Sequence, residues 1–243
     1  MTRPHGFTLI ELAIVLVIIT ILVGGLAVPL SAQIQARRVA ETQRTLEEAR
    51  EAIIGFAMTH PATPANSRHL PCPDINGDGT EDRAVNACSN IVNGIVSGFL
   101  PWVDLGVASQ DAQGNRLRYA VIAVLADSGT GFSTVTATPA NPLVTCTVNT
   151  CDPDSPDVAN NLAFVLASHG QNGWGAQNIN NPVGTLLAAP TGLDEAANLD
   201  ADRIYVSRAP TQAGVAAGEF DDLLTWISFP QLIPRVCPTG CSP

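Results

Sequence analysis

The fold is decided by Gly6-Phe7-Thr8-Leu9-Ile10-Glu11 and the apolar run that continues from it as far as Val28. From Phe7 to Val28 there are 22 residues with a single ionisable side chain, Glu11. Because a helix rises about 1.5 Å per residue, a helix of this length crosses the ~30 Å hydrocarbon core of a bilayer. We therefore expect residues 7–28 to form a membrane-spanning helix.

A short polar leader, residues 1–6, precedes the apolar run, and its Arg3 favours the cytoplasmic side of a membrane. An ordinary secretory signal has a shorter apolar region, of roughly 7 to 15 residues, that ends at a small-x-small cleavage site. Leu30-Ser31-Ala32 matches such a site poorly. The apolar run is therefore interpreted as a membrane anchor.

Beyond the anchor, the sequence has the pattern of an amphipathic helix, with apolar side chains at three- and four-residue spacing and charged side chains between them. The apolar members are Val39, Leu46, Ala49, Ile53, Phe56 and Ala57. Pro61 and Pro64 end the pattern, because proline lacks the N–H that a helix needs. The sequence predicts one long helix over residues 7–60, whose second half carries a sheet on its apolar stripe.

From residue 61 onward the chain is rich in Gly, Pro, Asn and Asp, with short strand-like runs between turns. This pattern predicts a loop-rich α+β head over residues 61–243. Strands are expected at residues 116–125, 162–168 and 203–207, and a hairpin is expected from residues 133–138 and 143–148. Residues 220–229 are predicted to pack on the core as a short helix or strand.

The segment Gly6-Phe7-Thr8-Leu9-Ile10-Glu11 resembles the N-terminal signature of type IV pilins and type II secretion pseudopilins. The shared features are a Gly at the end of the leader, an aromatic first mature residue and a Glu at the fifth mature position. The resemblance implies that a prepilin peptidase cuts between Gly6 and Phe7 and methylates the new amino group of Phe7. It also implies a pilin-like α+β fold, in which the long helix packs against an antiparallel β-sheet head.

Two segments of the head extend the resemblance. Residues 111–119 are similar to a turn that leads into a strand in major pseudopilins, and residues 168–175 with Asp200 and Asp202 resemble their calcium-loop region. Asn172 stands where that family usually has Asp, many residues separate the two parts, and the head is larger than that of a typical major pseudopilin. These departures favour a minor or atypical member of the family.

Glu11 needs a partner, because a carboxylate inside hydrocarbon costs about 2.5–3.5 kcal/mol on insertion scales. The nearest cation would be the amino group of Phe7, in the same or a neighbouring subunit, which gives Glu11 a role in assembly. The alternative is that Glu11 lies close enough to the membrane surface to reach water.

The composition excludes some classes of function. Twelve arginines and no lysine stand against 22 acidic residues, a net charge of −10, so the basic surface of a nucleic-acid binder is absent from the sequence. An apolar fraction of 46 % is enough for a folded core, which excludes intrinsic disorder.

The six cysteines form three close pairs along the chain, which indicates disulfides and an oxidising compartment. Because short loops close at the smallest entropic cost, we expect Cys72 with Cys88, Cys146 with Cys151, and Cys237 with Cys241. The alternative is a zinc site formed by the last four of these cysteines.

A calcium-binding loop is predicted at residues 74–82. Asp74, Asn76 and Asp78 stand at loop positions 1, 3 and 5, Gly79 allows the sharp turn, and Thr80 offers its carbonyl oxygen. Position twelve is Val85 rather than Glu, so Asp82, Glu81 or another residue must supply the last ligand. The alternative is a polar Asx turn without metal, and the next candidates for a calcium site are Asp194, Glu195, Asp200 and Asp202.

No catalytic residues are predicted. Ser168 and His169 are adjacent and would point to opposite faces of a strand, and the other histidines of the mature chain, His60 and His69, have no zinc-ligand spacing. The sequence thus predicts a non-enzymatic structural subunit of a type IV pilus or type II secretion pseudopilus. Its alternatives are a minor or tip subunit whose head binds a surface or an exported substrate, and a membrane-anchored enzyme.

The predicted partners are other pilin or pseudopilin subunits, the prepilin peptidase and the inner membrane, with no nucleic acid. The resemblance implies a single-pass protein of the inner membrane with its head in the periplasm, which then enters the filament.

Overall fold

The computed structural model describes residues 8–63, 66–238 and 240–241, and for residues 25–29 it describes the backbone alone. The chain divides into two units, residues 1–40 and residues 41–243. A single helix, α1 (Leu9–Thr59), supplies the described part of the first unit and the beginning of the second.

Helix α1 agrees with the long N-terminal helix predicted from the sequence. It ends at Thr59, and the following His60 precedes Pro61, a position where the helical conformation is disfavoured. Among the described residues, we find no helix with an apolar stretch long enough to cross a membrane. The anchor predicted at residues 7–28 includes Phe7 and the side chains of residues 25–28, which lie outside the described part of the chain.

In the second unit, one face of α1 is buried against the head. Thr42, Leu46, Ala49, Ile53 and Ala57 are at most 2 % exposed and follow one another at three- and four-residue spacing. The buried face begins later than predicted, because Val39 remains 40 % exposed. The second half of the helix therefore carries the sheet, as the amphipathic pattern indicated.

The head is built on a six-stranded sheet of strands β5 to β10. The strands are β5 (Ile95–Phe99), β6 (Arg118–Ile122), β7 (Leu143–Cys146), β8 (Ala159–Ser168), β9 (Ile204–Val206) and β10 (Leu223–Ser228). Their order is β5-β6-β8-β7-β9, and β10 also pairs with β8. Four of the five pairings are antiparallel, and β7 with β9 is parallel.

The long strand β8 organises this sheet because it pairs with three others. Its Leu162 is opposite both Leu143 of β7 and Ser228 of β10, so β7 and β10 lie on opposite edges of β8. On the face toward α1, Tyr119 and Phe164 pack edge to face with their ring centroids 5.9 Å apart. These rings join Leu46 and Ile53 of the helix in the main core.

The smaller elements surround this framework. They are two short hairpins, β1 (Pro61–Ala62) with β2 (Ser67–Arg68) and β3 (Arg83–Ala84) with β4 (Ala87–Cys88), and the helices α2 (Trp102–Leu105), α3 (Ala123–Ala126), α4 (Leu193–Ala197) and α5 (Phe229–Val236). Helix α5 packs on the core through Phe229, Leu232 and Val236.

Two strand predictions need correction. The strand expected at residues 116–125 ends at Ile122, since its partner β5 begins at Ile95 opposite that residue, and α3 follows. The hairpin expected from residues 133–138 and 143–148 is wrong, because β7 pairs with β8 and β9 instead. Pro139 and Pro142 precede β7 and lack the N–H groups that a hairpin ladder uses.

The three disulfides join the pairs that the spacing predicted. Bonds connect Cys72 with Cys88, Cys146 with Cys151, and Cys237 with Cys241. No cysteine of the chain is left free, so no thiolate remains for the alternative zinc site.

Candidate functional site

The start of α1 is closed by a reciprocal hydrogen-bond pair between Thr8 and Glu11. The Glu11 carboxylate accepts from the Thr8 N–H and from the Thr8 hydroxyl, both at 2.8 Å. In return, the Glu11 N–H donates to Thr8 Oγ1 at 3.3 Å. This is a capping box, which satisfies N–H groups that the first turn of a helix cannot pair internally.

The capping box gives Glu11 a partner within its own chain. The Phe7 amino group and water were the predicted partners of Glu11, although the Thr-x-x-Glu spacing of a capping box is present in the sequence. Gly6 and Phe7 lie outside the described residues, so cleavage between them and methylation of Phe7 stay predictions. The role of Glu11 in assembly likewise stays a prediction.

Helix α1 exposes an extensive apolar surface in the first unit. Its large apolar side chains between residues 9 and 23 are from 49 % to 90 % exposed, and none of them lies in the core. Exposed apolar patches of such extent are typical of surfaces that contact lipid or another protein.

The loop at residues 74–82 folds around its own carboxylates. Asp74, which is fully buried, accepts from the N–H groups of Gly77 at 2.6 Å and Gly79 at 2.8 Å, one on each oxygen. Asp82 accepts from the N–H groups of Ile75 and Asn76 and from the Asn76 side chain. The two carboxylates therefore hold the loop closed through hydrogen bonds.

The more exposed members of this loop are also engaged. Asp78 Oδ1 accepts from the N–H of Thr80 at 2.8 Å and from its hydroxyl at 2.6 Å, and these hydrogen bonds lower the pKa of Asp78. Asn76 Oδ1 accepts from the Asp78 N–H at 2.9 Å. Burial raises the pKa of Asp74, although its two backbone hydrogen bonds oppose the shift. The calcium prediction for this loop stays a prediction.

A second group of acidic residues, named here the carboxylate cluster, consists of Glu195 in α4 and Asp221 and Asp222 before β10. Each contributes a carboxylate oxygen, and these oxygens lie within 4.8 Å of one another. It is the one group of three or more His, Cys, Asp or Glu side chains with such spacing that we find in the described residues. Calcium prefers oxygen ligands of this kind.

The carboxylate cluster has unsatisfied oxygens. Glu195 is only 2 % exposed, and its Oε1 accepts from the Asn172 side chain and from the Asp221 N–H, both at 3.0 Å. Its other oxygen, Oε2, and Asp221 Oδ1 are buried without a hydrogen-bond partner among the described residues. A buried acceptor without a partner costs about 1–3 kcal/mol, and more when it is charged.

The electrostatics of the cluster favour a bound positive charge. Burial raises the pKa of Glu195 to about 7, and the nearby carboxylates of Asp222 and Asp221 add to that effect, against the Asn172 hydrogen bond. Burial likewise raises the pKa of Asp221. Carboxylates at this spacing repel one another unless a proton or a cation is shared between them.

The loop after β8 closes one side of the cluster. The N–H groups of Gln171 and Asn172 donate to Asp221 Oδ2 at 2.9 Å each. A Cβ at Gly170, which has φ of +56°, would meet Asp221 Oδ1 at 2.2 Å, so only glycine fits there. The pseudopilin-like segment at residues 168–175 thus contacts the cluster directly.

The acidic residues singled out from the sequence lie in different surroundings in the structure. Glu195 belongs to the cluster, whereas Asp194 pairs with Arg208 at 2.9 Å. Asp200 and Asp202 are not members of it. Asp221 and Asp222 were missed, although two consecutive carboxylates before an apolar strand were a visible signal.

The comparisons with known proteins concern the N-terminus. Residues 1–27 match the family model of the prokaryotic N-terminal methylation motif, which is the signature of type IV pilins and pseudopilins. A search of curated proteins and a search of solved structures found no match.

Proposed function

We propose that this chain is a structural subunit of a type IV pilus or type II secretion pseudopilus. In this proposal, prepilin peptidase cuts between Gly6 and Phe7, and the mature subunit assembles with other pilin-type subunits through its N-terminal helix. The observation that carries the proposal is the methylation motif at residues 1–27, because it covers both the proposed cleavage position and the first part of the helix that would assemble.

The exposed apolar side of α1 supports this function. Twelve Leu, Ile and Val side chains between residues 9 and 23 are at least 49 % exposed. Since fully burying such a side chain stabilises by ~1.5–3 kcal/mol, covering the remaining surface contributes on the order of 10 kcal/mol. Lipid can supply that cover before assembly, and the helices of neighbouring subunits can supply it afterwards.

This order of events gives the localisation that we propose. The subunit rests in the inner membrane through residues 7–28, with its head in the periplasm, until it is extracted into a filament. Three disulfides in the head fit an oxidising compartment of this kind. The motif supports a structural subunit rather than an enzyme.

We also propose that the head binds calcium, with the ion held at the carboxylate cluster. The unpartnered oxygen of Glu195, a side chain only 2 % exposed, supports this position over the loop at residues 74–82. Calcium takes six to eight oxygen ligands, so backbone carbonyls or water would complete the site. Such an ion would tie α4, the residue 168–175 loop and the start of β10 together.

The processing step tests the main proposal. The full chain is expressed in cells that contain a prepilin peptidase, and the intact mass of the product is measured. We expect a mature chain that begins at Phe7 with one added methyl group. Gly6→Ala should impair cleavage, whereas Thr2→Ala in the same leader is the control. A mature chain that begins near Gln33 would contradict the pilin assignment.

Assembly is tested separately with Glu11. Glu11→Ala should reduce incorporation into filaments in cells that make the wild-type protein, while cleavage at Gly6 continues. An enzyme that uses α1 only as a tether should be indifferent to this change, so unaltered behaviour would favour the tethered-enzyme alternative.

A further inference from the structure

Arg37 and Arg38, named here the stem arginines, are unpaired cations on α1. Both are exposed, and neither forms an ion pair or hydrogen bond with a described residue. The chain contains no lysine, so arginine is its only permanently cationic side chain. An anionic partner of this protein must therefore bind arginine side chains.

The other arginines in the described part of the chain are already engaged. Six of them form ion pairs, namely Arg44 with Glu48, Arg50 with Glu47, Arg83 with Glu81, Arg203 with Asp154, Arg208 with Asp194 and Arg235 with Glu51. Arg116 stacks on Trp102, and Arg68 and Arg118 donate to backbone carbonyls. The stem arginines are therefore the cations available for a contact with another molecule.

The head carries a groove suited to an arginine side chain, named here the acidic groove. It has a volume of about 220 Å³ and is lined by Pro142, Pro153, Pro156, Asp154 and Arg203, among others. Arg203 bridges its two sides, because it contacts Asp154 Oδ1 and the carbonyl oxygens of Pro153 and Pro142, each at 3.3 Å. Proline rings suit the aliphatic part of an arginine, and a carboxylate suits its guanidinium.

Negative charge exceeds positive charge around this groove. Asp154 lines the groove and the exposed Asp152 accepts a hydrogen bond from the Asp154 N–H, so two carboxylates stand there beside one cation, Arg203; the exposed Asp200 and Asp202 precede Arg203 in sequence. The Asp154 side chain is 82 % exposed, so its ion pair with Arg203 leaves most of the carboxylate open. Partial burial raises the pKa of Asp200 to about 6, and the neighbouring Asp202 adds to this shift, although Arg118 opposes it.

We propose that the acidic groove of one copy of this chain binds the stem arginines of a second copy. This inference rests on the proposed function, because filament assembly brings helix α1 of one subunit beside the head of another. Charge complementarity selects the partner. A subunit with a net charge of −10 repels its copies, and the contact places the free cations of each stem on the excess carboxylates of a neighbouring head.

A second copy fits the stem arginines better than a lipid phosphate does. Arg37 is nine residues beyond Val28, which places it about 13 Å further along the helix axis. The polar layer on each side of the hydrocarbon core is roughly 5–7 Å thick. With residues 7–28 in the membrane, the backbone of Arg37 lies beyond that layer, so its side chain would have to turn back toward the membrane to reach a lipid phosphate.

The absence of lysine allows a sharp test. The double substitution Arg37→Lys and Arg38→Lys keeps both charges and introduces the only side-chain primary amines of the chain. A carbodiimide then joins an amine to a carboxylate in contact with it as an amide, with loss of water. The processed full chain is assembled from equal parts of ¹⁵N-labelled and unlabelled copies, cross-linked, digested and analysed by mass spectrometry.

We expect mixed-isotope cross-links between position 37 or 38 and a peptide that contains Asp152, Asp154, Asp200 or Asp202. Arg44→Lys is the matched control, because its partner Glu48 is in the same helix and should give links within one chain. Mixed-isotope links to other carboxylates, or no links between copies, would overturn the inference. If these amines form no cross-links to carboxylates and become inaccessible to reagents when anionic vesicles are present, the partner is a lipid instead.

Charge reversal separates this inference from the proposed function. Arg37→Glu with Arg38→Glu should lower the yield of linked or filament-incorporated copies at least tenfold, and Asp152→Arg with Asp154→Arg in the same chain should restore it. Circular dichroism of each variant checks folding. Filaments that form normally after reversal would refute the groove contact and leave the proposed function standing, whereas a wild-type chain that never assembles would remove both.

Discussion

The loop at residues 74–82 and the carboxylate cluster are both acidic, but they use their carboxylates differently. In the loop, both oxygens of Asp74 and of Asp82 accept hydrogen bonds from groups of the loop itself. In the cluster, one oxygen of Glu195 and one of Asp221 have no described partner. Carboxylates spaced like those of a metal-binding loop can thus accept hydrogen bonds from the nearby backbone. Carboxylates that are brought together from distant segments keep oxygens without a hydrogen-bond partner.

The pKa shifts of Asp78 and Glu195 show this difference, although burial also raises the pKa of Asp74 in the loop. Hydrogen bonds to Thr80 lower the pKa of the exposed Asp78, because they stabilise its charged form. Burial among other carboxylates raises the pKa of Glu195 to about 7, because it penalises the charged form. The cluster is therefore the region that gains more from a bound cation, and four predictions test that contrast.

The largest effect is expected from Gly170→Ala, which inserts a methyl group against Asp221. The new Cβ would lie 2.2 Å from Asp221 Oδ1 and 2.3 Å from its backbone oxygen, in a left-handed conformation with φ of +56°. We expect a loss of about 2–5 kcal/mol in the free energy of unfolding, measured by urea denaturation. Gly94→Ala, with φ of +82° and open space around it, is the control and should cost only about 1–2 kcal/mol. Equal losses would show that Gly170 does not pack on the cluster.

Calcium should stabilise the head through the cluster. At a hundredfold excess over Kd, an ion that binds only the folded state adds about 2.7 kcal/mol, which raises the Tm of a domain of this size by about 5–10 °C. Glu195→Gln should remove this shift, and the isosteric control Asp78→Asn should retain it. Thermal unfolding of the mature chain in calcium and in chelator measures both, and the opposite pattern would move the site to the loop.

Without calcium, stability should fall as the pH rises from about 4.5 to 7. The folded-state pKa of Glu195 is about 7 against an ordinary 4.5, so between these values the folded chain binds more protons than the unfolded chain. The slope from this one group is less than about 1.4 kcal/mol per pH unit. Glu195→Gln should remove that part of the slope in denaturation series at several pH values. A slope unchanged by Glu195→Gln would mean that this carboxyl is ordinary.

The smallest effect is expected from Asp78→Asn. Its hydrogen bonds from Thr80 are exposed, so their loss should leave the free energy of unfolding almost unchanged. Because the folded pKa of Asp78 is lowered, any stability that it contributes is present near neutral pH and is lost on acidification, opposite in sign to Glu195. A loss of stability as large as that of Gly170→Ala would show that the loop, rather than the cluster, carries the more important carboxylates.

Local patterns along the chain were reliable guides to its helix, turns and cross-links. The helix predicted over residues 7–60 agrees with α1, Leu9–Thr59. Neighbours at i, i+3 and i, i+4 share a helix face whatever the rest of the chain does. The three disulfides followed from spacing, because loops of 16, 5 and 4 residues are easily closed. Glycine and proline similarly marked the head as rich in turns.

Strand partners were harder to derive, because pairing in a sheet depends on residues far apart in sequence. The runs at residues 162–168 and 203–207 correspond to β8 and β9, but nothing local indicated that β7 would lie parallel to β9. A hairpin was the natural expectation for residues 133–148, and the long strand β8 attracted β7 instead. Pairing with the long strand β8 thus took the place of the hairpin that neighbouring segments of the chain suggested.

By itself, the sequence determined the methylation motif at residues 1–27, the long helix, the three disulfides and the acidic character of the protein, since each depends on neighbours or on composition. Only the tertiary structure decided which carboxylates meet. Glu195 and Asp221 are 26 positions apart and become neighbours because α4 and the start of β10 converge on the loop after β8. Burial there, and not the sequence around each residue, leaves one oxygen of Glu195 and one of Asp221 without a hydrogen-bond partner among the described residues, and a cation would satisfy both oxygens.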